Sequence, residues 1–186
     1  MRPFSEASER NRSPILAVLR RVFSNCKNVL EIGSGTGQHA AYFAAELPHL
    51  VWQASDIAEN LPGIAHWVQG AIELDVEGAW PAGAFDAVFT ANTCHIMSWP
   101  QVERMFQGVG KLQPQLLCIY GPFHYNGKAT SESNARFDAM LRSRDPASGV
   151  RDFEAIVALA RSSGLSLAED DAMPANNRLL VFRRKD

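Results

Sequence analysis

Asn28-Val29-Leu30-Glu31-Ile32-Gly33-Ser34-Gly35-Thr36-Gly37 passes from a short apolar run directly into three glycines at alternate positions. Val29 to Ile32 reads as a brief buried strand, and the following Gln38 to Glu46 reads as a helix. Between them, glycine lets the chain turn sharply and lets its backbone come close to a ligand. The helix start adds the positive end of its dipole at the same place. The segment is therefore a strand, a tight loop and a helix, with a binding site at the junction.

The same alternation continues outward from it. Strands are expected at Val51–Asp56, Ala71–Val76, Phe85–Ala91 and Leu116–Gly121, with helices at Pro14–Phe23 and Trp99–Leu112. Ser13 would cap the first of these helices, and Pro14 suits its first position. A polar stretch from Pro122 to Ser133 precedes two more helices, Asn134–Arg144 and Asp152–Ser163. Leu165–Asp170 and Arg178–Arg183 close the chain as two strands with no helix between them, so they should pair as an antiparallel hairpin. The predicted class is α/β: a doubly wound, mostly parallel seven-stranded sheet with an antiparallel C-terminal hairpin, Rossmann-like, in one domain over 1–186. Ligands of such sheets bind beyond the carboxyl ends of the strands.

Composition narrows the function classes. The 186 residues carry a formal net charge of −2, with 46% apolar and 20% charged residues, which fits an ordinary globular domain. A nucleic-acid partner would call for a clustered basic face, and the one basic run is Arg183-Arg184-Lys185 at the end. No apolar run approaches membrane-spanning length. Cys26, Cys94 and Cys118 are widely spaced and show no metal-ligand spacing, so no metal site is expected. They read as free thiols of a cytoplasmic protein, and Cys94 as a small buried residue rather than a nucleophile.

Gly33, Gly35 and Gly37 follow a GxGxG spacing, and Gln38 stands where a dinucleotide fingerprint would place its last glycine. That turns the reading from NAD toward S-adenosylmethionine, which has no pyrophosphate. The neighbouring strand ends supply what such a ligand needs. Glu31 and Ser34 flank the first glycine. Asp56, 23 residues after Gly33, can take the ribose hydroxyls. Asp75 can accept from the adenine amine while Val76 offers its backbone, and Asn92 stands where the methionine portion should lie.

At these residues the chain resembles the class I S-adenosylmethionine-dependent methyltransferases. Three further stretches are similar to the methyltransferase-like 26 family: Gly121-Pro122-Phe123-His124-Tyr125-Asn126-Gly127, Thr130 to Asp138, and Arg144 to Asp152. Ser8 to Ile15 and Met173 to Leu179 resemble it too, so the likeness spans nearly the whole chain. It implies the methyltransferase fold and S-adenosylmethionine as cofactor, and names no substrate.

The remaining polar residues offer a substrate site. His95 is the candidate general base, by position and by its intrinsic pKa, with a packing histidine as the alternative. Tyr125 and Asn126 are candidates for an acceptor pocket, and Arg136 and Arg151 for gripping an anion, or for ion pairs with Asp138 or Asp152. Glu9-Arg10-Asn11-Arg12 is a candidate lid, with a frayed terminus as its alternative. Short loops in place of a recognition domain favour a small-molecule acceptor. Two competitors remain: a regulatory or scaffolding protein that binds S-adenosylmethionine without transferring its methyl, and an NAD-linked oxidoreductase. Asn92-Thr93-Cys94-His95 lacks the N-P-P-Y pattern used against planar amides, which keeps the first of these open.

Overall fold

A computed structural model describes residues 2–185. At its centre lies β1 (Asn28–Ile32), flanked by β2 (Val51–Asp56) on one side and β4 (Ala87–Ala91) on the other. Beyond β2 lies β3 (Ile72–Glu73), and beyond β4 lie β5 (Leu116–Gly121), β9 (Asn177–Arg184) and β8 (Leu165–Met173). The order is β3-β2-β1-β4-β5-β9-β8, with β9 antiparallel to both neighbours and the other pairs parallel. This is the mixed seven-stranded sheet the sequence predicts.

Each face of the sheet is covered, because successive side chains of a strand point to opposite faces. Val29, Phe89, Cys118 and Val181 pack with Ile15 and Leu19 of α1 (Glu6–Val22), Phe23 just past its end, and Phe43 of α2 (Gln38–Glu46). Leu30, Val88, Leu117 and Phe182 pack with Val102, Met105 and Phe106 of α4 (Trp99–Leu112) and Ile156 of α6 (Phe153–Ser162). A short α3 (Leu61–Ile64) puts Ile64 against Ala40 and Ala54 at the β2 edge.

Four local expectations are corrected. Helix α1 begins at Glu6, not at Pro14: the Ser5 side chain accepts from the Ser8 N–H, and Pro14 lies inside the helix. Proline is costly there, but Asn11, Ile15, Leu16 and Leu19 are buried on either side of it, so packing holds the helix together. Strand β3 is shorter than expected. The Asp75 carboxylate accepts from the Glu77 N–H at 2.9 Å and the Asp75 carbonyl from the Gly78 N–H, which bends the chain away. Strands β8 and β9 run longer, pairing as far as Met173 with Asn177, so the tip of the hairpin is only Pro174–Asn176. Finally, the polar stretch after β5 contains β6 (Phe123–His124), paired in parallel with β7 (Arg151–Asp152). It leads into α5 (Glu132–Arg144), where Ser131 caps the first turn by accepting from the Asn134 N–H at 3.1 Å.

Candidate functional site

A cavity of about 870 Å³ opens at the carboxyl ends of β1, β2, β4 and β5. That is the upper part of the ~300–1,000 Å³ range of small-molecule sites. Gly33, Ser34 and Gly35 line it together with Asp56, Asp75, Val76 and Asn92.

The glycine loop is shaped by its neighbours. Gly33 has φ +70°, and a Cβ there would stand 2.7 Å from the Thr93 methyl. Gly35, at φ +59°, would meet nothing within 4 Å, so its backbone faces open space. Three of the loop amides are already engaged. The Ser34 N–H donates to the Ser55 carbonyl, the Gly37 N–H to the Ser34 carbonyl, and the Gly35 N–H to the Asp56 carboxylate at 2.6 Å. A diphosphate held at such a turn needs free amides, and these three have none to give.

Asp56 is buried and heavily used. Its other oxygen accepts from the Ile57 N–H at 2.8 Å and the Asn60 amide at 2.9 Å. A carboxylate offers about four acceptor positions, so about one is left for a ligand. Asp75 is exposed just past β3, and Val76 beside it is buried. Asn92 sits at φ +58°, a left-handed conformation that asparagine tolerates, with its N–H on the Tyr120 carbonyl. Glu31 does not line the cavity. It lies behind Ser34, accepting from the Ser34 hydroxyl at 2.9 Å and the Trp52 indole at 3.0 Å. Burial pushes its pKa up to about 7, against the pull of those two bonds.

The residues expected on the acceptor side are dispersed. His95 is buried and meets Phe137, a lining residue, edge-on at 5.2 Å. Burial and then the Arg151 charge push its pKa down to about 4, so it is neutral at pH 7. The Tyr125 hydroxyl donates to Asp170 at 2.9 Å, and its ring stacks on Phe153. Asn126 occupies a turn at φ +52°, its N–H on Glu154. Arg136 is exposed and pairs with Glu132 at 3.6 Å. Arg151 is buried and donates to the carbonyls of Cys94 (3.0 Å), Ala147 (2.8 Å) and Met97, so it braces the 94–97 loop through backbone. Burial pushes the Cys94 thiol up to about 12.

The structure also brings in residues to which the sequence gives no role, Ser5, Ser8, His39, Tyr120, Asn134 and Phe137, and with them Asn11 of the expected lid and Asn177 line the cavity. His39 Nε2 and Asn11 Oδ1 are 2.7 Å apart, joining α1 to α2, and burial pushes the His39 pKa down to about 4. The Ser5 N–H donates to Gln38, and the Trp67 indole donates to the Pro3 carbonyl at 2.8 Å. The expected lid residues thus belong to a packed helix, with Arg10 and Asn11 on the cavity and Arg12 paired with Glu9. One signal for Asn11 exists in the sequence: it stands four and eight residues before Ile15 and Leu19, a polar residue on an apolar stripe.

Among solved structures, an O-methyltransferase family protein from Burkholderia thailandensis matches with a TM-score of 0.81 at 18% identity, over 97% of this chain and 58% of that one. An O-methyltransferase family 2 protein from Planctomyces limnophilus, in complex with apigenin, matches with a TM-score of 0.82 at 14% identity, over 96% and 58%. CalO1, a methyltransferase in calicheamicin biosynthesis in its S-adenosylhomocysteine-bound form, matches with a TM-score of 0.72 at 15% identity, over 93% and 55%. The chain spans little more than half the length of these proteins, and at such identities the likeness establishes the Rossmann-like methyltransferase fold. At the level of sequence, residues 2–184 match the family described as a protein of unknown function, DUF938, and the chain belongs to that family.

Proposed function

We propose that the cavity binds S-adenosylmethionine and that the protein transfers its methyl group to an oxygen, nitrogen or sulfur of a small acceptor. One observation carries this. The strand-end acids and Asn92 line the same cavity as a glycine loop three of whose amides, Ser34, Gly35 and Gly37, are already bonded within the protein. That suits a nucleoside ligand without phosphates. The fold of the neighbours and the resemblance to the methyltransferase-like 26 family support the same reading.

S-adenosylmethionine would supply an electrophilic methyl on a cationic sulfur. The chain's part is to hold and orient. Asp56 takes one ribose hydroxyl with its remaining acceptor position, and Asn60 beside it serves the other. Asp75 and Val76 flank the adenine, and the Gly33–Gly35 backbone and Asn92 border the methionine end. Glu31, one hydrogen bond behind Ser34, orients the Ser34 hydroxyl at the methionine end, and a ligand ammonium nearby would favour its ionised form. Bringing the acceptor alongside the methyl supplies most of the rate. An acceptor that arrives protonated gives its proton to His95. His95→Gln should then lower kcat by about 100-fold and leave KM within about threefold. An unchanged kcat removes the base from the scheme.

A second reading, binding without transfer, is favoured by one observation: the histidine that lines the cavity, His39, is tied to Asn11, while His95 stands behind Phe137. Labelled-methyl transfer into a metabolite extract separates the two. Tight cofactor binding with no labelled product would establish the second.

A further inference from the structure

The cavity has a wall opposite the cofactor residues, formed by the end of β5, the start of α5 and the tip of the β8–β9 hairpin. Its chemistry is uncharged. Burial raises the Tyr120 pKa, so the phenol keeps its proton. The Asn11 and Asn177 side chains pull the other way, and all three residues line the cavity. Asn11 turns its own oxygen to His39. Asn134, buried, spends both amide hydrogens inside the protein, on the Thr130 hydroxyl and the Asn176 carbonyl, each at 3.0 Å. A carbonyl can only accept, so the amide cannot be flipped, and the Asn134 oxygen is the group left over. Phe137, Pro122 and Ala175 line the same cavity with apolar surface. His39 is neutral at pH 7. Among the described residues, the one cationic lining side chain is Arg10, largely exposed and 3.4 Å from Glu6. An ion placed against this wall would lose water without gaining a counter-charge.

Resting on the methyltransferase reading, we infer that this wall is the methyl-acceptor subsite. It selects an uncharged molecule with an apolar body, whose polar edge accepts from the Tyr120 hydroxyl and donates to the Asn134 carbonyl. It rejects carboxylates, phosphates and ammonium compounds of the same size.

The test uses protein saturated with S-adenosylhomocysteine and a fragment set in matched thirds: benzyl alcohols, benzoates and benzylamines of equal size. Binding is read by ligand-observed NMR. The expected result is that the benzyl alcohols bind at least tenfold more tightly than the two ionised series. Tyr120→Phe and Asn134→Ala should each weaken the alcohols about tenfold, with S-adenosylhomocysteine affinity within about twofold of the parent. The conservative phenylalanine keeps the packing, so a misfolded Asn134 variant does not hide the answer. A preference for either ionised series, alcohols indifferent to both substitutions, or no binding by any series overturns the assignment. Failure of S-adenosylhomocysteine itself to bind overturns the cofactor reading instead.

Discussion

The two sides of the cavity are built on different principles. On the β1–β3 side, charged groups are held at fixed points: Asp56 is clamped by the Gly35 and Ile57 backbone N–H groups, and Glu31, just behind the cavity, is pinned by the Ser34 hydroxyl and the Trp52 indole. On the far side, neutral groups are contributed by four separate elements, α1, β5, α5 and the hairpin, tied down through amides such as Asn11 and Asn134. The first arrangement is local in sequence and rigid. The second exists only once distant segments have packed. A ligand part common to many enzymes suits the first, and a part that differs between enzymes suits the second.

The largest expected effect breaks the rigid side. Asp56→Ala leaves the Gly35 and Ile57 N–H groups and the Asn60 amide without their charged acceptor, at a cost of roughly 4 kcal/mol in stability. It should also weaken S-adenosylmethionine by roughly 1–3 kcal/mol. Urea unfolding and calorimetry read the two. Stability within about 1 kcal/mol of the parent would mean that the clamp does not organise the loop.

Acidification acts on the two sides with opposite signs. His39 and His95 have folded pKa values near 4, below the unfolded value near 6.5. The unfolded chain therefore binds more protons between pH 4 and 6.5, and stability is lost as pH falls through that window, by roughly 3 kcal/mol for each histidine. Glu31 is raised to about 7 from 4.5, so its contribution is present below 4.5 and is lost as pH rises through 7. Glu31→Gln removes that opposing trend. The variant should be more stable than the parent at pH 8, by roughly 3 kcal/mol, and should lose stability more steeply on acidification. Parallel stability–pH curves for variant and parent would contradict the buried, raised carboxyl.

A smaller effect separates two glycines of one loop. Gly33→Ala puts a methyl on Thr93 as well as straining the backbone and should cost roughly 3 kcal/mol, whereas Gly35→Ala has space and should cost roughly 1 kcal/mol in strain. Equal losses by thermal unfolding would show that close approach to Thr93 does not decide the position.

The contrast between the two sides also explains what the sequence could and could not reveal. Strand β1, the glycine loop and Asp56 fall within 29 residues, and each keeps its local pattern, so fold class and the β1–β2 wall were legible. Asn134 and Asn177 meet the same cavity from 43 residues apart, and Asn11 from more than a hundred further, with no spacing rule to connect them. Arg151 looked like an anion site because a lone arginine near polar loops has that chemistry. Its carbonyl partners at 94, 97 and 147 come from chain folding alone. Helix α1 was started too late because Ser13-Pro14 imitates a helix start, while the working cap, Ser5, precedes a polar first turn.

The claim on which the rest depends is the identity of the ligand held at the glycine loop. Calorimetry of the protein with S-adenosylmethionine and, separately, with NAD tests it directly. The expected result is saturable one-to-one heat with S-adenosylmethionine, weakened in Asp56→Ala, and no heat with NAD. Saturable binding of NAD with none for S-adenosylmethionine would contradict it.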